Sequence, residues 1–328
     1  CASEQGIRHQ GRLYPGWKEV FEEVMKKYIF LVVAAIAALC SCSKDDDSTI
    51  DGVVAWEYEL SMGKFKDGVT RIVIETGINT SSYASDATHK PLNAAGTLWE
   101  VLDGKVLRIQ TSGSKILGHD SFIHDEIPFG LFCNYYKVET ISGIENLDMS
   151  KVTDMTNLFQ CCEELTSIDL SSFDTHLTKT MDGMFQNCYE LKSITGLEKL
   201  NTSNVTQMDF MFANCQALTE LDLSTFNTSN VTRMFFMFAG SDALTKLDLS
   251  SFNTSKVTYM ESMFENCSKL SSLTFGASFS MAKVVYKKNM FSGCGDDGHC
   301  YVRGITDPAL KDALRDGTGW DEANIEFK

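Results

Sequence analysis

Hydrophobic and polar positions in the second half of the chain follow a pattern that recurs every 26 or 27 residues. Four apolar residues of one repeat are spaced i, i+3, i+4 and i+7, which is one face of a short helix: Met260, Met263, Phe264 and Cys267. A different stretch of the repeat has the spacing L-x-x-L-x-L of a strand, as at Leu244, Leu247 and Leu249. The pattern therefore predicts units of a short strand, a turn and a short helix.

The same template, moved along the chain, aligns the apolar residues in three columns. The first column is phenylalanine throughout: Phe132, Phe159, Phe185, Phe212, Phe238, Phe264 and Phe291. The second mixes leucine with phenylalanine: Leu147, Phe173, Leu200, Phe226, Phe252 and Phe279. The third is methionine: Met155, Met181, Met208, Met234 and Met260. One such unit cannot bury its apolar face alone, so about six to seven units are expected to stack on each other.

The repeat that begins Phe226-Asn-Thr-Ser-Asn-Val-Thr-Arg-Met resembles the BspA-like leucine-rich repeat proteins of bacterial surfaces, over roughly residues 130 to 295. The resemblance implies an α+β solenoid, a leucine-rich-repeat-like right-handed coil of short strands and short helices. It also implies a non-catalytic function, adhesion or another protein–protein interaction. The expected partner is a host or bacterial surface protein or glycan.

Residues 1–41 predict an export signal. We interpret residues 1–24, which show no fold pattern, as a non-native upstream extension, and residues 25–41 as a lipoprotein signal peptide. Its apolar run is too short to span a bilayer comfortably. Leu39-Cys40-Ser41-Cys42 looks like a bacterial lipobox, which implies lipidation of Cys42. The alternative is ordinary signal cleavage that leaves free thiols.

Residues 42–50 form an acidic linker that contains Asp45-Asp46-Asp47. The linker is similar to the export tag that follows the lipid cysteine in surface lipoproteins of some Gram-negative anaerobes. This resemblance implies a lipid-anchored protein of the outer membrane that faces the cell surface.

Residues 51–128 predict a β-rich cap at the N-terminal end of the repeats. Val69–Ile74 has the composition of a strand, and 98–102 with 105–109 reads as a hairpin closed by a type I′ turn at Asp103-Gly104. A separate small binding domain is the alternative. Repeats then occupy residues 129–295.

Residues 296–328 predict a small C-terminal cap. Asp307-Pro308 supplies an N-cap and a first-turn proline for a short helix, and Ile325-Glu-Phe327 a final strand. The cap would cover the apolar surface of the last repeat.

The net charge is −15 at pH 7 over 328 residues, which argues against nucleic acid or anionic lipid as a partner. Five of the 11 cysteines occupy one repeat position: Cys162, Cys188, Cys215, Cys267 and Cys294. We expect them to be buried free thiols. A Cys294–Cys300 disulfide or a pair with Cys161 stays open, because export permits oxidation.

The sequence holds no P-loop, G-x-S-x-G elbow or H-E-x-x-H motif. The polar segment His119–Glu126 has no zinc-site spacing and is interpreted as a solvated loop. We therefore expect no enzyme activity, no cofactor and no metal.

Polar residues between the inward positions of the predicted strands should line a concave face. They are Asp169, Thr195, Glu220, Asp222, Lys246, Asp248 and Thr274. Asp222 and Asp248 are expected as cross-strand neighbours about 5 Å apart. Either these side chains only keep the sheet soluble, or they bind a basic protein patch or a shared cation.

The alternative function is a glycan-binding lipoprotein of a nutrient-uptake system. Its stacking residues would be Trp56, Tyr83 and Trp99, in the block before the repeats. Loss of carbohydrate binding on their replacement would favour it.

Overall fold

The computed structural model describes residues 53–54, 68–85, 89–92, 97–118, 122–124, 127–295, 300–305, 307–317 and 325–327. The account below concerns the compact unit that comprises Ser48–Phe122 and Pro128–Lys328. The predicted leader, the lipidation site Cys42 and the acidic linker lie outside the described residues, as does Trp56. No described helix is long and apolar enough to cross a membrane.

Short strands are the most frequent regular elements of the described residues. In chain order they are β1 (Val53–Val54), β2 (Arg71–Glu75), β3 (His89–Pro91), β4 (Leu98–Asp103), β5 (Val106–Thr111), β6 (Lys115–Leu117), β7 (Phe122–His124), β8 (Ile127–Phe129), β9 (Thr140–Ser142), β10 (Leu147–Asp148), β11 (Ser167–Asp169), β12 (Ser193–Thr195), β13 (Lys246–Leu249), β14 (Ser272–Phe275), β15 (Cys300–Arg303) and β16 (Ile325–Phe327). Two 3₁₀ turns, Ile144–Asn146 and Leu197–Lys199, and one α-helix, α1 (Pro308–Gly317), complete the description.

A five-stranded sheet of order β3-β4-β5-β2-β9 precedes the repeats. The predicted hairpin is confirmed as antiparallel β4 and β5, but Asp103 pairs with Val106, so the turn residues are Gly104 and Lys105. Only Gly104 has a positive φ (61°), as a type II′ turn requires, so the predicted type I′ turn at 103–104 is wrong. β2 pairs in parallel with β9 of the first repeat, and the sheet therefore continues into the repeats.

The predicted helix of each repeat is wrong, because two residues per repeat have left-handed backbone. The first set is Asn157, Gly183, Phe210, Phe236, Ser262 and Asn289, with φ between 54° and 60°. The second set is Asn134, Cys161, Asn187, Asn214, Gly240, Asn266 and Gly293, with φ between 58° and 70°. A right-handed helix holds no residue with positive φ, so the segment becomes two consecutive tight turns.

Alternate backbone N–H groups of these turns bond the next repeat instead of their own. Asn157 donates to the carbonyl of Asp182 (2.8 Å), and Phe159 donates to that of Met184 (2.9 Å). The α+β solenoid of short strands and short helices is therefore contradicted. The repeats that the structure describes consist of turns, short strands and isolated parallel bridges, and the single described α-helix lies after them.

One column of parallel bridges runs through six consecutive repeats, and we call it the bridge ladder. Its members are Asp154, Thr180, Gln207, Arg233, Tyr259 and Tyr286. Strand pairs β11–β12 and β13–β14 join other positions of adjacent repeats. Neighbouring repeats are thus held in parallel register at more than one position.

The phenylalanine column lies in the core, as its periodicity predicts. All seven rings are fully buried. Each stacks on the ring of the next repeat, with centroids 5.1 to 5.9 Å apart and planes within 10°. Offset stacking of this kind adds roughly 0.5–1.5 kcal/mol per pair beyond the area that is buried.

The cysteine column consists of buried free thiols, so the predicted packing role is confirmed. Cys161 and Cys294 are free as well, which excludes both open disulfide pairings. The Sγ of Cys188 donates to the backbone carbonyl of Phe159 (3.1 Å), and Cys162, Cys215 and Cys267 make the same contact one repeat back. Burial raises the pKa of the Cys215 thiol well above its usual value, so the group stays protonated and can donate.

The C-terminal elements continue the strands of the last repeats. β15 and β16 add in parallel to β13 and β14 in one four-stranded sheet. Asp307 caps α1 as predicted, because its Oδ1 accepts the N–H of Ala309 at 2.9 Å. Its Oδ2 accepts the N–H of Met281 (2.6 Å), which connects the helix start to the last repeat.

Candidate functional site

Most residues predicted for the concave face are exposed, but the aspartates among them close turns. Asp169, Asp222 and Asp248 each accept the N–H of the serine two residues later, at 2.8 to 3.0 Å. Hydrogen bonds from Ser171 and Ser224 lower the pKa of Asp169 and of Asp222. These contacts explain why aspartate recurs at this position without invoking a ligand.

The predicted Asp222–Asp248 pair is not a pair of the sheet. No strand forms at 220–223, so Glu220 and Asp222 lie in an irregular segment between β12 and β13. Asp248 faces Thr274, Asp169 faces Thr195, and Lys246 faces Ser272. Within the described ranges, no group of three or more His, Cys, Asp or Glu residues is placed to hold a metal ion.

A second surface, which the sequence reasoning did not identify, lies on the bridge ladder. Arg233, Tyr259 and Tyr286 occupy three consecutive rungs. The Arg233 guanidinium lies over the Tyr259 ring at 5.3 Å, and the Tyr259 and Tyr286 rings stack at 4.5 Å with planes 6° apart. We call these three side chains the Arg–Tyr stack.

A buried carboxylate fixes the inner end of the Arg–Tyr stack. Asp209 is fully buried, and its Oδ2 lies 2.7 Å from Nε of Arg233, an ion pair rather than a linear hydrogen bond. Its Oδ1 accepts the backbone N–H of Phe235 at 2.8 Å. Burial and neighbouring Asp182 raise the pKa of Asp209 to about 8, although Arg233 acts in the opposite direction.

Three phenylalanines next to this ion pair form a cluster of their own. The rings of Phe210, Phe235 and Phe236 lie 4.4 to 5.3 Å apart, and all three are buried. Phe210 and Phe236 have φ of 57° and 54°, which is strained for a bulky side chain. The packing of this cluster holds the strained turns, and the turns place Arg233 beside Asp209.

The signal for this surface was present but ambiguous in the sequence. The ladder position is the variable residue of Val-Thr-x-Met, where successive repeats carry Gln207, Arg233 and Tyr259. The next repeat carries Tyr286 at this position, in Val-Val-Tyr-Lys. Assigned to a helix, these residues would project to solvent without a common face. Only the parallel bridges align them one above another.

Two of the three stacking residues expected for glycan binding before the repeats, Trp99 and Tyr83, pack against each other. Trp99 is only 6% exposed, and Tyr83 packs edge-on against it at 5.7 Å. The Tyr83 hydroxyl donates to Oε1 of Gln110 (2.8 Å), and Nε2 of Gln110 donates to Oε2 of Glu75 (2.6 Å). Trp99 and Tyr83 are thus part of a packed network.

A protein-family model described as "Mycoplasma protein of unknown function, DUF285" matches residues 130–220 and 189–298. The two matches together span just over half of the 328 residues and coincide with the repeats. No curated protein and no solved structure matches the chain.

Proposed function

The chain belongs to the family described as Mycoplasma protein of unknown function, DUF285, and from that premise we propose that it is a non-catalytic recognition protein. Its stacked repeats present the Arg–Tyr stack to a macromolecular partner. A surface protein of a host or of another bacterium is the favoured partner class.

The observation that carries this proposal is the Arg–Tyr stack itself. Tyrosine and arginine are enriched among residues that dominate binding energy at protein interfaces. Here they are already held in place, because Arg233 is fixed by Asp209 and the two tyrosine rings by each other. Little side-chain entropy is then lost when a partner binds.

We further propose that the protein is anchored to the outer membrane by a lipid on Cys42 and faces the cell surface. The support is the sequence Leu39-Cys40-Ser41-Cys42 and the acidic stretch that follows it. Acyl chains contribute about 0.8 kcal/mol per buried methylene, so more than one chain gives stable anchoring. Cys42→Ala should release the protein from the membrane fraction, and a variant that stays there would contradict the anchor.

Glycan binding is the second candidate, and one observation favours it. Tyr286 is 48% exposed and its ring stacks on Tyr259, which gives a flat aromatic surface of the kind on which a sugar ring packs. In this second candidate the glycan would bind at Tyr286 and not at Trp99, where the sequence suggested it.

A binding screen of the purified protein against matrix proteins and glycans tests both candidates. For a hit, Tyr259→Ala/Tyr286→Ala should weaken binding roughly thirtyfold, since each tyrosine is placed as an interface anchor. The matched control is Asp222→Ala/Asp248→Ala, which changes two exposed side chains of the predicted concave face.

The control variant should bind as the unmodified protein does. Binding lost in the aspartate variant and kept in the tyrosine variant would refute the proposed surface and restore the concave face. A glycan hit that depends on the tyrosines would select the second candidate.

A further inference from the structure

The bridge ladder ends at Tyr286 with an open backbone edge. Between earlier rungs, Met260 donates its N–H to the carbonyl of Tyr286 (2.8 Å), and Ser262 donates to that of Lys288 (3.0 Å). The corresponding donors of the last rung are the N–H groups of Lys287 and Asn289. Within the described part of the chain, neither bonds a backbone carbonyl, and the Val285 carbonyl accepts no backbone N–H.

The strand side of the same repeat is covered. β15 pairs with β14, β16 pairs with β15, and Leu310 and Leu314 of α1 are fully buried. The C-terminal elements therefore extend one side of the last repeat, and the described residues leave the ladder side open.

An exposed apolar side chain marks this edge. Val285 is 69% exposed, and it stands where the three preceding repeats have threonine. Those threonines bond the previous repeat, as Thr258 does when its Oγ1 donates to the carbonyl of Thr232 (3.3 Å). A valine side chain cannot make that bond, and its methyl groups are exposed to water. Contacts within the fold therefore do not explain why valine stands at position 285.

The edge is basic in an otherwise acidic protein. Lys283, Lys287 and Lys288 are exposed, and residues 280–294 contain no Asp or Glu, whereas the whole chain carries −15. Asp307 is the carboxylate that Lys287 influences, and its oxygens already accept hydrogen bonds from Met281, Ala309 and Ser280. None of the three lysines forms an ion pair with another residue of the described ranges.

We propose that this edge binds an extended, acidic segment of a partner protein, which adds to the ladder as a further strand. The partner's backbone would accept from the N–H groups of Lys287 and Asn289 and donate to the carbonyl of Val285. Its carboxylates would pair with the three lysines, and its apolar side chains would cover Val285 and Tyr286. The inference rests on the proposed function, since it names the partner chemistry for the end of the Arg–Tyr stack.

The alternative role of lysines at an open edge is to prevent strand addition between copies. The two roles predict different binding. A protective edge rejects every added strand, whereas a docking edge accepts an acidic strand and rejects a basic one.

The test uses the purified protein and a short labelled peptide that alternates glutamate with valine, followed by fluorescence anisotropy. A peptide that alternates lysine with valine is the charge control, and an N-methylated acidic peptide is the backbone control. We expect saturable binding of the acidic peptide alone, weakened by salt and abolished by N-methylation.

Replacement of the edge lysines should weaken this binding roughly tenfold, because each exposed ion pair contributes modestly. The edge variant is Lys283→Gln/Lys287→Gln/Lys288→Gln. A matched control removes three exposed lysines elsewhere on the repeats: Lys192→Gln/Lys246→Gln/Lys269→Gln. An equal loss of affinity for the acidic peptide in both variants would show that binding depends only on net charge, and it would overturn the proposal.

No binding of the acidic peptide, or binding that survives N-methylation, would overturn the docking edge in favour of the protective role or of simple charge attraction. The proposed function is judged separately, on the partner found by the screen. A partner that needs Tyr259 but tolerates the edge variant would retain the recognition function and reject this inference.

Discussion

The stacked phenylalanine column gives the sharpest test of how the repeats are held together. Phe238→Leu keeps an apolar side chain in the core but removes two ring–ring contacts, to Phe212 (5.9 Å) and to Phe264 (5.7 Å). At roughly 0.5–1.5 kcal/mol for each contact, the variant should lose about 1–3 kcal/mol of unfolding free energy. Phe238→Ala also leaves a cavity and should lose about 3–5 kcal/mol.

Phe252→Leu is the matched control for this prediction. Phe252 is as fully buried as Phe238, but no ring stacks on it in the described part of the chain, and its column has leucine at positions 147 and 200. Its replacement should therefore cost less than that of Phe238.

Urea denaturation of the three variants measures these differences through the midpoint of unfolding and through the slope of the unfolding free energy against urea concentration. The total unfolding free energy of a domain is about 5–15 kcal/mol, so the expected losses are a measurable fraction of it. Equal destabilisation by Phe238→Leu and Phe252→Leu would refute the argument that ring stacking between repeats stabilises the array. A reduced slope for Phe238→Ala would show that the repeats no longer unfold together.

Two further predictions concern buried polar groups. Cys215→Ser should be more stable than Cys215→Ala by about 1 kcal/mol, because a hydroxyl can replace the bond to the Phe185 carbonyl, as Ser241 does to Phe212 at 2.7 Å; equal urea midpoints for the two variants would contradict this. Asp209 has a pKa of about 8 in the folded chain and about 4 when unfolded, so the folded state holds more protons between these values. The contribution of Asp209 to stability is then largest at acidic pH and is lost as the pH rises towards 8, and Asp209→Asn should flatten that slope in urea midpoints taken from pH 5 to 8. A variant with the slope of the unmodified protein would show that Asp209 is not the group responsible.

The core was predictable from the sequence, whereas the backbone conformation was not. Met260, Met263, Phe264 and Cys267 are all buried, as the periodicity requires. The same spacing, however, places side chains inward in two successive tight turns as well as in a helix. Asn266 indicated one left-handed position. The other is Asn or Gly in three repeats, but in the three consecutive repeats between them it falls on Phe210, Phe236 and Ser262, residue types that do not indicate positive φ.

The candidate surface could not be predicted for a related reason. Exposure of Asp169 and Asp248 followed from alternation along a strand, but their turn-closing bonds depend on local backbone geometry. The Arg–Tyr stack depends on the register between repeats, which variable positions do not reveal. Burial of Trp99 depends on contacts with Tyr83 that are distant in the sequence.

The backbone bonds that pass from each repeat to the next have a consequence for how such a chain changes length. The N–H groups of Asn157 and Phe159 depend on carbonyls about 25 residues later, and the same dependence recurs in the following units as far as Ser262 and Phe264. A deletion of a few residues would shift the donor away from its acceptor in every bond that spans the deletion. Duplication or loss of one entire unit keeps all of them matched. The length of the repeat array can therefore change by whole repeats, while the elements at its two ends stay the same.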